Sequence, residues 1–434
     1  MKIIRKFRVG LPTPLALAIL LSMVVYLLAW LFTSPDTSKS FYAITLLEYY
    51  QRGFWDLLAF SMQMMLILVL GNVLALTPFF QRLQQLIAGV VKKATTAVFI
   101  TAFFSILLGL FNWGLGLIFS SLLARAIGEH ARKTGMRLNY PLLVAAAYTG
   151  MMVWHGGLSG SAPLKVAEVG HFLHDKIGVI AVGQTLFSSM NLWLNGLLLI
   201  ILPLTFFLIA KYKPRIVTPL QDLPLYEKPS VSFEKRGYLN TILGIALLFM
   251  AVVQFLDRGL AALNINLINL MLLAFGLLLY RNLNQFMQSV GDAIGSSGGI
   301  MIQFPIYAGI MGLMNYSGLA ALFTHQLVQA STAATLPAMA FVSAAVVNFF
   351  VPSGGGQWAV QGPILMDAAA HLGASFPKTI MALAYGDELT NMIQPFWAIP
   401  LMAITGVKAK AMLPYTILIM LIGGLAMLLA LQLF

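Results

Sequence analysis

A chain of 434 residues that is 59% hydrophobic and only 9% charged cannot clothe itself in the polar surface a soluble protein needs. Its mean hydropathy of +0.87 describes a polytopic membrane protein with no room for a soluble catalytic domain. The formal charge of +12 suits basic loops on one membrane face better than nucleic acid, and zero cysteines remove disulfides, thiolate metal sites and thiol redox chemistry.

Taken in chain order, the basic start MKIIRKFRVG leads into an apolar run, 11–32, that ends in FTSPDTSKS without a small-x-small cleavage site, so it predicts a retained first helix. Runs at 54–80, 177–210, 238–256 and 412–434 also approach or exceed the ~20 apolar residues that cross a bilayer. Of the 26 Lys and Arg residues, 20 fall in loops assigned to the cytoplasmic side, among them Lys2, Arg5, Lys6 and Arg8, which places the N-terminus inside. The other six, Lys39, Arg52, Lys165, Lys176, Arg258 and Lys378, are placed outside.

The stretch 94–124 has basic residues at both ends: Lys92 and Lys93 before it, Arg125, Arg132 and Lys133 after it. It should therefore enter and return as a hairpin of two arms of about 15 residues each, turning in FNWGLG at 111–116. Irregular backbone at membrane depth survives only where protein or a water-filled cavity satisfies its amides and carbonyls, so such a turn marks a site. After the polar stretch 211–237, read as a cytoplasmic linker, a second stretch at 333–370 is interrupted by PSGGG. Its flanks are almost free of basic residues, so this hairpin should enter from outside.

Two segments share an AxAY core, at Tyr148 and Tyr385, and each follows a hairpin asparagine at nearly equal distance: 36 residues from Asn112 and 37 from Asn348. Together with the opposite charge flanks, this predicts an all-α inverted repeat with two re-entrant hairpins, two broken helices at 141–158 and 376–399, and about nine full crossings. The first repeat spans 1–210; 238–434 holds an extra crossing and the second repeat. Gly- or Pro-interrupted segments in matching halves point to a transporter site near the midplane.

At PSGGGQW the glycines are expected to adopt left-handed angles and bare their amides, with Gln357 or Trp358 opening the next helical arm. An anion can be held there without Lys or Arg, by Ser353, Gly354, Gly355, Gly356 and Gln357. From the other turn Asn112 and Gly114 face the same site, and Trp113 and Trp358 supply apolar walls for a short alkyl tail. Asp387, Glu388 and Asn391, expected beside backbone freed around GDELTNMIQP and Pro395, suit a cation or proton, since carboxylates in a membrane are functional candidates by default. His155 in WHGG is a titratable candidate, although a lone buried histidine is more often a hydrogen-bonded packing residue. Asn112 and Asn391 are the candidate neighbours of a coupling Na⁺; no other cofactor is implied.

The string GGGQWA also fits GxGxxA, but it lacks the preceding strand of a dinucleotide fold, and no GK[ST] accompanies it. Two alternatives stand beside a carrier. One is an intramembrane acyl-transfer enzyme using His155 with Asp387 or Glu388, and the other is a passive anion channel.

VPSGGGQWAVQGP, ALAYGDELTNMIQPFWAIP, FNWGLGL and AAYTGMMVWHGGLSGSAPL together resemble the bacterial short-chain fatty acid transporter family over essentially the whole chain. That resemblance implies an inner-membrane carrier for short monocarboxylates such as acetoacetate and butyrate. The chain is also similar to the wider ion transporter superfamily, which implies inverted repeats, moving transport domains and a homodimer.

Overall fold

The computed structural model describes residues 14–33, 39–212, 237–295, 298–349, 351–394 and 397–434. The basic cluster before residue 14, the linker residues 213–236 and Pro395 lie outside the described residues. Every regular element among the described residues is a helix. Six helices are long and apolar enough to cross a membrane: Leu15–Phe32, Leu58–Ala75, Ala94–Phe111, Ser189–Tyr212, Tyr238–Ala262 and Ala409–Leu433. A seventh span arises if Met301–Tyr316 and Leu319–Ala330, bent by 75° at their junction, count as one. The nine crossings expected are thus not supplied by unbroken helices. Segments such as Ile265–Leu279 and Tyr140–Tyr148 are too short to span ~30 Å singly at 1.5 Å per residue.

Length alone makes Ala94–Phe111 a span, yet its surroundings make it the first arm of a hairpin. Lys92, Lys93 and Ala94 at its start line one cavity with Thr134, Gly135, Met136 and Arg137, which end the following helix Trp113–Thr134. The chain therefore returns to the face from which it came. The arms press together at Gly109 and Gly116, where a Cβ on Gly116 would come within 2.7 Å of the Gly109 nitrogen. The turn is a single residue, Asn112, rather than six, and the second arm continues ten residues past 124.

The second hairpin pairs Leu336–Val347 with Gly354–Leu372. Its ends also meet, since Leu336 packs with Ala368 and Ala369 in one apolar cluster. The glycines of PSGGG do not adopt the left-handed angles expected of them. Ser353 is the N-cap and the helix begins at Gly354, so all three glycines lie in its first turn, and none is among the glycines with positive φ. Their role is close approach. A Cβ on Gly354 would overlap the His155 ring, one on Gly355 would lie 2.7 Å from Phe304, and one on Gly356 would overlap Tyr307.

The first broken helix follows the expected course. Helix Tyr140–Tyr148 tightens into 3₁₀ turns at Thr149–Met152 and Trp154–Gly156, and helix resumes at Ser161–Lys165. Ser105 from the first hairpin stitches this transition, accepting from Gly150 N at 2.8 Å and donating to Ala147 O at 2.7 Å. In the second broken helix the interruption comes later than expected. Phe376–Asn391 is continuous and contains Asp387, Glu388 and Asn391, and helix resumes only at Ile399–Thr405. No proline lies between Lys378 and Gln394 to remove a helix hydrogen bond, so the carboxylates sit on intact helix.

Candidate functional site

Four chain interruptions converge. The first-hairpin tip at Asn112 is closed by its own side chain, whose Oδ1 accepts from Leu115 N at 2.9 Å while Nδ2 donates to Ile67 O at 3.1 Å. Next to it the Trp113 amide, which has no intrahelical acceptor by position, donates to Ser159 Oγ at 3.0 Å. Gly114 packs against the Leu68 carbonyl of helix Leu58–Ala75. The hydrogen-bonding capacity of Asn112 is therefore engaged with protein, in helix capping and in docking the tip on its neighbour.

At the second tip Ser353 Oγ accepts from Gly356 N at 3.3 Å, and Gly354 and Gly355 occupy the positions whose amides have no acceptor inside the helix. Gln357 donates to Ala344 O at 2.9 Å and to Gln361 Oε1 at 3.0 Å, leaving its own Oε1 buried without a partner. Asn348 donates through Nδ2 to the Asp387 carbonyl at 2.7 Å and to Asn391 Oδ1 at 2.9 Å. Its carbonyl accepts from Gln394 Nε2 at 2.5 Å. The second tip is thus clasped by the second broken helix.

His155 and the two carboxylates join the breaks. Its backbone N–H, freed by the 3₁₀ turn, donates to Glu388 Oε2 at 2.8 Å. Glu388 thus compensates broken backbone. The imidazole Nδ1 lies 3.1 Å from the Ala384 carbonyl; a carbonyl only accepts, so Nδ1 carries the hydrogen. In the neutral ring Nε2 is then a bare lone pair, 3.9 Å from Asp387 Oδ1. Neither carboxyl oxygen of Asp387 has a hydrogen-bond partner, and the side chain is 1% exposed. An ionised carboxylate buried without a donor is costly.

Indoles wall this region. Trp113 stands 5.8 Å from Trp154 and 5.2 Å from Trp397, centroid to centroid, and Trp154 lies 3.6 Å from the His155 ring. Trp358 pairs with Phe172 at 6.1 Å. Trp154, Trp397, Asn348 and Gln394 were not among the site residues expected from sequence. Asn348 was marked only by its spacing to Tyr385, and Gln394 by the proline after it.

Matching tyrosines tie the halves together. Tyr148 OH donates to Asn391 O at 2.8 Å, and Tyr385 OH donates to Asn191 Oδ1 at 2.8 Å. Asn191 also holds the carbonyl of Gly156, in the first break, at 2.8 Å.

Helical hairpins, broken helices and a buried polar cluster behind apolar spans define a multi-pass membrane transport protein. The family model for short chain fatty acid transporters matches residues 2–434. A candidate short-chain fatty acid transporter of Escherichia coli (strain K12) is 36% identical over 435 residues, covering 98% of this chain and 96% of the relative. Another from Haemophilus influenzae (strain ATCC 51907 / DSM 11121 / KW20 / Rd) is 34% identical over 422 residues, covering 92% and 91%. The chain belongs to the short-chain fatty acid transporter family, and its activity is transport rather than enzymatic turnover. Its fold is similar to that of Neisseria gonorrhoeae MtrF, described with a class of antimetabolite efflux pumps (TM-score 0.61, 14% identity, 98% of this chain and 96% of that one). It is also similar to the Alcanivorax borkumensis YdaH transporter, reported to have an unusual topology (TM-score 0.57, 16% identity, 97% and 98%).

Proposed function

We propose that the protein is an ion-coupled secondary transporter of short monocarboxylates, acetoacetate- or butyrate-like, in a bacterial inner membrane. The observation that carries this reading is the cluster of buried, unpartnered polar atoms where the second tip meets both broken helices: His155 Nε2, Asn348 Oδ1, Gln357 Oε1, Gln394 Oε1 and both Asp387 oxygens. The substrate carboxylate is held at the amides of Gly354 and Gly355, at the positive end of a helix, with Ser353 capping that turn. Its alkyl tail lies against Trp113 and Trp154, and the crowding of these indoles favours short acids.

Coupling runs through Asp387 with His155, which together carry one proton into the site and release it on the other side. Na⁺ is the second reading. It is favoured by the side-chain oxygens of Asn348 and Gln394 beside Asn391, because hard cations prefer oxygen ligands. Asn112, whose Oδ1 accepts from a backbone amide, is the weaker Na⁺ neighbour.

The halves form an inverted repeat: 1–210 and, after an extra crossing, the rest of 238–434, joined by the cytoplasmic linker 211–237, with hairpins 94–124 and 333–370 re-entering from opposite faces and the N-terminus inside. The reciprocal Tyr148 and Tyr385 bonds and the charge distribution support that arrangement. Alternating access is elevator-like within a homodimer, a reading that rests on fold analogy.

Proteoliposomes fed labelled butyrate test the proposal. Concentrative uptake is expected under an inward H⁺ or Na⁺ gradient, and comparing the two identifies the ion. No uptake of several short acids under any gradient would overturn it, and uptake without saturation or counterflow would make the protein a channel.

A further inference from the structure

Two cavities adjoin on the side of the first hairpin away from its tip. The first, of about 360 Å³, lies between the helix Pro78–Val90 and the second hairpin arm and is lined by Gln81, Gln84, Gln85, Arg125, Glu129, His130 and Lys133, among others. The second, of about 510 Å³, shares His130 with it and adds Lys92, Lys93 and Arg137. Across the two linings there is one carboxylate, Glu129, against five Lys or Arg side chains and a histidine. Arg125 is positioned on its wall by donating to the Ile404 carbonyl at 2.8 Å and to Glu129 at 3.1 Å. Lys92, Lys93, Lys133 and Arg137 take part in none of the ion pairs among the described residues.

The helix that walls the first cavity is amphipathic. It buries Gln84, Ile87 and Ala88 against the hairpin and leaves Phe79, Leu86 and Val90 more than half exposed. Those three, spaced i, i+7 and i+11, form one outward apolar stripe. A helix of this kind lies in the membrane interface, with its apolar side at acyl-chain depth and its polar side among headgroups. Phosphate chemistry matches the polar cavities, because Arg and Lys donate charge-assisted hydrogen bonds to phosphate oxygens and glutamine amides can fill the remaining sites. Acyl chains match the stripe beside them. A free phosphate ester would use only the first of these two features.

We infer that the seam between helix Pro78–Val90 and the first hairpin binds an anionic phospholipid, its phosphodiester in the two cationic cavities and its acyl chains along Phe79, Leu86 and Val90. Basic pockets between membrane helices hold anionic headgroups by this combination of charge and depth. The bound lipid bridges the interfacial helix and the hairpin that carries Asn112 and Trp113, so the composition of the leaflet reaches the transport machinery without touching substrate.

Native mass spectrometry of the delipidated full-length protein, titrated with phosphatidylglycerol or phosphatidylcholine, tests this. Phosphatidylglycerol should be retained at about tenfold lower lipid concentration or better, and the triple variant Lys92→Gln/Lys93→Gln/Arg137→Gln should lose that preference. Arg137→Gln alone, the milder change, should weaken retention about fivefold. A charge-matched control, Arg132→Gln/Lys408→Gln/Lys410→Gln, removes exposed basic residues that line neither cavity and should bind like the natural chain. Equal retention of both lipids would overturn the inference, as would equal loss in the control, which would mean diffuse surface charge. Displacement of phosphatidylglycerol by glycerol phosphate at matched concentration would overturn the lipid assignment in favour of a free phosphate ester.

Discussion

The two hairpin tips solve one problem in opposite ways. Each must end one helix and begin another inside the protein, where an orphaned amide or carbonyl costs about 1–3 kcal/mol. At the first tip one residue does this: Asn112 closes one arm and caps the next, its amide spends its second capacity on Ile67, and Ser159 takes the Trp113 N–H. The second tip takes the longer passage from Asn348 to Ser353 and leaves polar atoms of Asn348, Gln357 and their neighbour Asp387 without partners. A satisfied turn is a hinge pin or a wall, whereas an unsatisfied one has something left to bind. Under the function proposed, this difference makes Asn112 a structural residue and places ligand binding at the second tip.

The sharpest way to break this contrast is at Gly355. Gly355→Leu drives a side chain into Phe304 and Phe60, and a displacement near 1 Å at a binding site costs about a hundredfold in rate. Butyrate uptake should fall by that much with normal membrane insertion, and unchanged kinetics would remove the second tip from the site. Asn112→Ala should act on stability instead. Losing the cap should cost ~1–2 kcal/mol in thermal or denaturant unfolding while KM for butyrate stays within about twofold. A large rise in KM with unaltered stability would show that Asn112 touches substrate and that the tips are alike. A comparably modest effect in free energy belongs to Asp387→Asn, which preserves shape and removes the titratable proton. Gradient-driven accumulation should drop by about tenfold, ~1.4 kcal/mol, while substrate exchange at equilibrium persists. Loss of both together would make Asp387 a structural residue.

Much of the architecture was legible because membranes enforce simple rules. Basic flanks on both sides of 94–124 required a return, and the cavity shared by Lys92 and Arg137 is where that return ends. PSGGG marked the second tip correctly but for the wrong physical reason. Glycine serves left-handed backbone and close approach equally well, and composition cannot separate them when the ring that demands the space, Tyr307 or His155, lies far away in the chain. Asp387 and Glu388 are adjacent in sequence and looked interchangeable. On the helix they point different ways, so one meets the His155 amide and the other meets no donor. Asn348, Gln394 and Trp154 are not legible as site residues because their partners are set by tertiary packing rather than by spacing.

The crossed tyrosines carry a consequence for motion. Tyr148 donates to the Asn391 carbonyl at the end of helix Phe376–Asn391, and Tyr385 on that helix reaches the asparagine that holds the Gly156 carbonyl. Each broken helix is stitched by neighbours of its own, Ser105 for the first and Asn348 for the second, and the tyrosines then tie the two to each other. Two broken helices joined in this way should shift as one body.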